Sequence, residues 1–161
     1  MFRINPKRRH SALRRLLCKP LLLLGFQNID YYYIHGGGAN RVSFGAGVSV
    51  LNATFNVASG SIEIGDNTIF GHNVHVVTGV HRFYNGRLAK LSTTEDVLRE
   101  VPEDGYSIKI GSGCFVGTGA IILGNVEIGA NVIIAAGAVV TSDIPNGAFV
   151  AGVPAKVIRF I

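Results

Sequence analysis

A histidine in 76-VVTGVHRFYNG-86 stands where two kinds of sequence meet. Before His81 an aliphatic residue recurs every six positions; after it the rhythm lapses for about twenty-five residues and then resumes. An imidazole titrates near pH 6.5 (about), so near neutrality it can accept a proton from an attacking group and return it to a departing one. His72 and His75 lie in the same stretch. A histidine on a repeating face is ordinarily a surface or structural residue. His81 differs because it stands where the repeat gives way to a loop.

The elements that must position this residue are read from the period. Ile110, Val116, Ile122, Ile128, Ile134 and Val140 are aliphatics spaced by six, usually followed by a small residue: Gly111, Gly117, Gly129 and Ala135. Four positions after each aliphatic comes a further small or apolar side chain: Cys114, Ala120, Val126, Val132, Ala138. Upstream, Ile64, Phe70 and Val76 follow the same rule, with Thr68, Val74 and Val80 at the fourth offset. A period of six fits neither a helix nor a simple alternating strand. It fits short strands joined by corners, with one side chain per segment directed to an axial core. The small residues are expected to let the chain turn tightly. Residues 82–107 break this register and are rich in charge, and a long excursion of that kind is more often functional than decorative.

These residues resemble the hexapeptide-repeat acyltransferases, in the branch that acetylates sugars and xenobiotics and includes the maltose and galactoside enzymes. The resemblance implies an all-β fold, a left-handed parallel β-helix with a protruding loop and a short N-terminal helical segment. Three hexapeptides make one coil, so 64–81, 110–127 and 128–145 would each be a coil. Residues 44–61 would form a looser first coil, because the register slips by two near Ile62. The expected division is 1–39, a basic N-terminal segment, and 40–161, the β-helix domain carrying loop 82–107.

The stretch His81-Arg82-Phe83-Tyr84-Asn85-Gly86 resembles the element that opens the loop in this branch. It also resembles the T-G-H element of galactoside acetyltransferases, with Val80 inserted between Gly79 and His81. The resemblance implies acetyl-coenzyme A as co-substrate, no metal ion, and His81 as the base for a hydroxyl of a sugar or polysaccharide precursor. Asn52 matches the family asparagine that binds the acceptor and helps to hold the tetrahedral intermediate. On the coenzyme side Phe115 stands where relatives place a tryptophan. Thr118 and its neighbour Gly117 lie near the thioester, and Ala136 and Thr141 line the pantetheine groove. The ending 151-AGVPAKVIRFI-161 resembles the family's close, which places Lys156 and Arg159 to meet coenzyme phosphates. A homotrimer with active sites between subunits is implied as well. So are the neighbouring acceptors: an amino sugar or nucleotide-amino-sugar acetylated on nitrogen, or a xenobiotic acetylated on oxygen.

Charge and cysteine content bound these readings. Of fifteen Lys and Arg residues, seven fall within the first twenty positions and no acid precedes Asp30. The remaining eight bases face all ten acids, so residues 21–161 carry −2, which argues against a nucleic-acid partner. The segment RRHSALRRLLCKPLLLLGF is too short and too interrupted to span a membrane. A short helix ended by Pro20 and packed on the body is favoured over a membrane-surface segment formed by residues 1–20. Cys18 and Cys114 form no paired motif, which fits a reducing, cytoplasmic setting. Two other classes share the repeat: a non-catalytic scaffold, which needs no loop histidine, and the γ-type carbonic anhydrases. The spacing of His72, His75 and His81 does not match the widely separated zinc ligands of the latter.

Overall fold

The computed structural model describes residues 32–36, 38–79, 83–84, 86–88, 91, 93 and 106–161. Residues 1–31 of the basic N-terminal segment, which hold its expected helix, lie outside them, as do Val80 and His81.

Short strands, most of two or three residues, alternate with tight corners and wind a parallel β-helix of three faces. The third face holds the first described strand: β1 (Tyr33–His35) pairs with β3 (Thr54–Asn56), followed by β6 (His75–Val77), β11 (Ile121–Leu123) and β14 (Val139–Val140). The first face stacks β2 (Val42–Phe44), β4 (Ile62–Ile64), β9 (Ile108–Ile110) and β12 (Val126–Ile128). The second stacks β5 (Ile69–Phe70), β10 (Phe115–Val116), β13 (Ile133–Ile134) and β15 (Ala148–Ala151). It is closed by β16 (Lys156–Phe160), which runs antiparallel to β15. Within the excursion, β7 (Phe83–Tyr84) and β8 (Arg87–Leu88) form a small antiparallel pair. The described residues include a 3-10 turn at Ala39–Arg41.

The period-six aliphatics all point inward. Ile64, Phe70, Val76, Ile110, Val116, Ile122, Ile128, Ile134 and Val140 are buried, as are the fourth-offset residues Thr68, Val74, Cys114, Ala120, Val126, Val132 and Ala138. Burying an inward face along the stack is what makes such short strands stable, because none could hold its shape alone; the closing β16 is exposed throughout.

The glycine that follows each aliphatic has a different cause from the one its sequence suggests. The left-handed corner residues are others, among them Gly113, Gly119 and Gly137, with Asn67, Asn73 and Asn131 in equivalent places. Gly111 is small because the next coil presses on it: a Cβ there would lie 2.6 Å from the backbone nitrogen of Ala130. Close stacking, more than turning, excludes a side chain at that position.

Coil length departs from eighteen at both ends. Ile108 pairs with Val126, 18 positions on, but Phe44 pairs with Ile64, 20 on, and Thr54 with His75, 21 on. The wider early coil is filled by aromatic rings: Tyr32, Phe44, Phe55 and Phe70 meet edge-to-face or tilted, with centroids 5.1–5.9 Å apart. The expected last coil, 128–145, is two residues shorter, since Ile128 bridges Ile144. There the Asp143 carboxylate accepts the Glu127 N–H at 2.7 Å, so a side chain does what a longer corner would otherwise do.

Candidate active site

The chain leaves the stack at the edge between the third and first faces, and returns to it. Thr78 is buried; its N–H and its hydroxyl both donate to the Asn56 carbonyl, each at 2.9 Å. The same hydroxyl accepts the Ser59 N–H at 3.2 Å, and the Ser59 carbonyl accepts the N–H of Tyr106 at 2.8 Å. Exit and return are therefore fastened to one residue of the coil below. His81 follows three positions after Thr78, outside the described residues. His75 lies exposed on the outer side of the third face, in register between Thr54 and Ile121.

The residues expected on the coenzyme side divide between two edges. Phe115 is 46% exposed on the outside of the second face, in register between Ile69 and Ile133. At the edge where that face meets the third, Gly117 is buried, and Thr118 and Ala136 are exposed in successive coils. The Thr118 carbonyl accepts the N–H of Gly137 at 2.9 Å, and a Cβ at Gly117 would lie 2.8 Å from the Ala136 Cα. Lys156 and Arg159 are exposed on β16, at the end of the same face, and the Arg159 guanidinium lies 5.5 Å above the Phe149 ring centre. Small residues, an exposed ring and two cations on one side of the prism suit an elongated ligand ending in phosphate. Thr141 is elsewhere. It follows β14 and lies exposed at the exit edge.

Asn52 falls with the first group, at the edge between the second and third faces, half-buried and bonded to Asn73. Sequence reasoning missed Asn73 and Thr78. Asn73 was legible only by counting it into the corner column with Gly119 and Gly137. Cys114 faces the core, where burial pushes its thiol up; hydrogen bonds with Val132, Thr68 and Asn131 act the other way. Among the described residues no three His, Cys, Asp or Glu side chains are grouped to hold a metal ion. No described helix is long and apolar enough to cross a membrane.

The family model described as bacterial transferase hexapeptide (six repeats) matches residues 107–142. Residues 107–142 carry the hexapeptide repeat of the bacterial transferases. Among solved structures, this hexapeptide-repeat protein is similar to the serine acetyltransferase of Neisseria gonorrhoeae, at 27% identity and TM-score 0.56, over 94% of this chain and 48% of that one. It is similar to a galactoside acetyltransferase in complex with coenzyme A, at 28% identity and TM-score 0.63, over 83% of this chain and 62% of that one. A maltose O-acetyltransferase from Clostridium difficile matches at 26% identity and TM-score 0.50, over 93% and 87%. The chain thus spans about half the length of the serine acetyltransferase it matches. No curated protein matches in sequence.

Proposed function

We propose that this protein is an acetyl-coenzyme A-dependent acetyltransferase acting on a hydroxyl of a sugar or polysaccharide precursor. The observation that carries the reading is the division of the site. Phe115, Thr118, Ala136, Lys156 and Arg159 share one side of the prism, while Thr141 and the chain's departure toward His81 share another edge. If three such chains close around a threefold axis, the coenzyme side of one would stand against the exit edge of the next. The likeness to the galactoside enzyme, whose structure contains coenzyme A, supports the same ligand here.

In this reading Lys156 and Arg159 meet the phosphates and the small residues Gly117 and Ala136 leave room for the pantetheine arm. The neutral imidazole of His81 takes the hydroxyl proton as the acceptor oxygen forms its bond to the thioester carbonyl carbon. The carbonyl π pair moves onto its oxygen, where the Asn52 N–H donates. When that pair returns, the C–S bond breaks and the histidine's proton passes to the thiolate, leaving the acetyl ester and free coenzyme A.

Thiol release from acetyl-coenzyme A over a panel of sugars, nucleotide-sugars, amino sugars, antibiotics and serine tests this. Serine belongs in the panel because serine acetyltransferases match at 27% and 30% identity. Turnover with a hydroxylated sugar is expected; turnover only with an amine or only with serine would replace the acceptor. No release with any acceptor, by a folded protein that also fails to bind coenzyme A, would overturn the reading.

A further inference from the structure

Two asparagines clasp each other at the edge between the second and third faces. The backbone N–H of Asn73 donates to Asn52 Oδ1 at 2.7 Å, and Asn52 Nδ2 donates to Asn73 Oδ1 at 2.6 Å. A backbone amide can only donate, so it fixes which end of the Asn52 carboxamide is oxygen. Its nitrogen then faces Asn73 Oδ1, which orients the second carboxamide in turn. A carboxamide has two N–H donors. One of those on Asn52 is taken by Asn73; the other has no partner among the described residues.

The corner alone does not require an asparagine at 73. Its φ is 54°, and the corresponding residues of the next two coils are Gly119 and Gly137, both at 70°. Glycine therefore meets the backbone's demand. At the edge between the first and second faces, Asn67 and Asn131 take the same conformation, but their Oδ1 atoms lie against Gly47 and Gly113. Of these three asparagines, Asn73 is the one set over another carboxamide.

We propose that Asn73 is a positioning residue, which holds the Asn52 carboxamide so that one fixed N–H serves the thioester oxygen as it gains negative charge. This rests on the role given to Asn52 above. A donor held in place before the reaction needs no reorganisation when the charge develops, which is what gives such groups their effect. Without Asn73 Oδ1 the carboxamide is tethered at one end and its N–H direction is no longer unique.

The test uses the full chain, acetyl-coenzyme A and the best acceptor from the panel. Asn52→Ala is expected to lower kcat about 10²- to 10³-fold. Asn73→Gly keeps the left-handed backbone and its N–H but removes the acceptor; it should lower kcat about tenfold, the scale of a lost orientation, with KM for acetyl-coenzyme A unchanged. Asn73→Asp, which keeps an acceptor oxygen for Asn52 Nδ2, should recover most of that loss. Combined with Asn52→Ala, Asn73→Gly should add nothing, because it acts through Asn52. In ¹⁵N–¹H spectra the Asn52 side-chain amide, assigned by its disappearance in Asn52→Ala, should show one slowly exchanging proton that Asn73→Gly releases. Multiplicative losses in the double variant, or an Asn73→Gly protein with parental kcat and amide signals, would overturn the positioning role. An Asn52→Ala protein of full turnover would instead overturn the role given to Asn52.

Discussion

At the edge between the second and third faces the chain passes through its corners without a break, as Gly71–Val74, Gly117–Ala120 and Ala135–Ala138 in successive coils. At the edge between the third and first faces it leaves after Gly79 and is back on the stack at Tyr106. Both edges are made by the same repeat. The unbroken one sets the small, exposed Thr118 and Ala136 in one column, with His72 below them, an edge suited to line a groove. The broken one can carry side chains away from the axis, suited to reach into a neighbour. The break is tolerated because stacking continues across it: Ile62 pairs with Ile108, 46 positions on, in the same register as Ile108 with Val126. Closing a long surface loop costs only slightly more than closing a short one, and Ser59 joins its two ends.

Breaking each edge separately should have different consequences. His81→Ala should lose about 10²- to 10⁴-fold in turnover, with affinity for coenzyme A nearly unchanged because the unbroken edge is untouched. In the parent protein turnover should rise with pH through the imidazole's titration, since the base must be neutral. A His81→Ala protein that keeps most of its turnover would remove the chemistry from the broken edge. Ala136→Trp should instead abolish coenzyme binding by filling the unbroken edge, without touching the core.

Mixing these two chains sharpens the comparison further. If each site takes its groove from one chain and its base from the next, two inactive parents refolded together should regain turnover well above either alone. Light scattering should report a trimer. A monomer, or a mixture as inactive as its parents, would place both edges of the site in one chain and contradict the shared arrangement.

The fastening of the loop is a stability effect. Thr78→Val leaves the Ser59 N–H without its acceptor and should cost about 1–3 kcal/mol, read by denaturant melting, whereas Thr78→Ser should cost less. The smallest effect is chemical. In a Cys18→Ser background the buried Cys114 thiol should resist a thiol reagent at neutral pH until the protein unfolds, because burial keeps it protonated as well as covered.

Much of the fold was legible because the pattern is local. The period of six marks which side chain points inward, and every aliphatic it marks among the described residues is buried. The slip by two near Ile62 likewise announces the 20-residue spacing between Phe44 and Ile64. The shortened last coil was not legible, because the Asp143 carboxylate that substitutes for two residues of corner acts on Glu127, sixteen positions away. The reason for glycine after each aliphatic was also hidden, since the atoms that exclude a side chain at Gly111 belong to Gly129 and Ala130 in the coil above.

The site divides in the same way. The sequence by itself determined the alternation of strand and corner, the inward set, the place of the excursion and the residue types that can bind phosphate or move a proton. These follow from spacing along one coil, where neighbours in sequence are neighbours in space. Only the tertiary structure decided which edge each residue occupies. It put Thr141 apart from Ala136 although five positions separate them, and set Asn73 over Asn52 although twenty-one do. The physical reason is that a corner turns the chain onto a new face within a few residues, while the partner above or below lies a full coil away. Outside the excursion that distance varies from sixteen to twenty-one residues with the packing of the core and the corners.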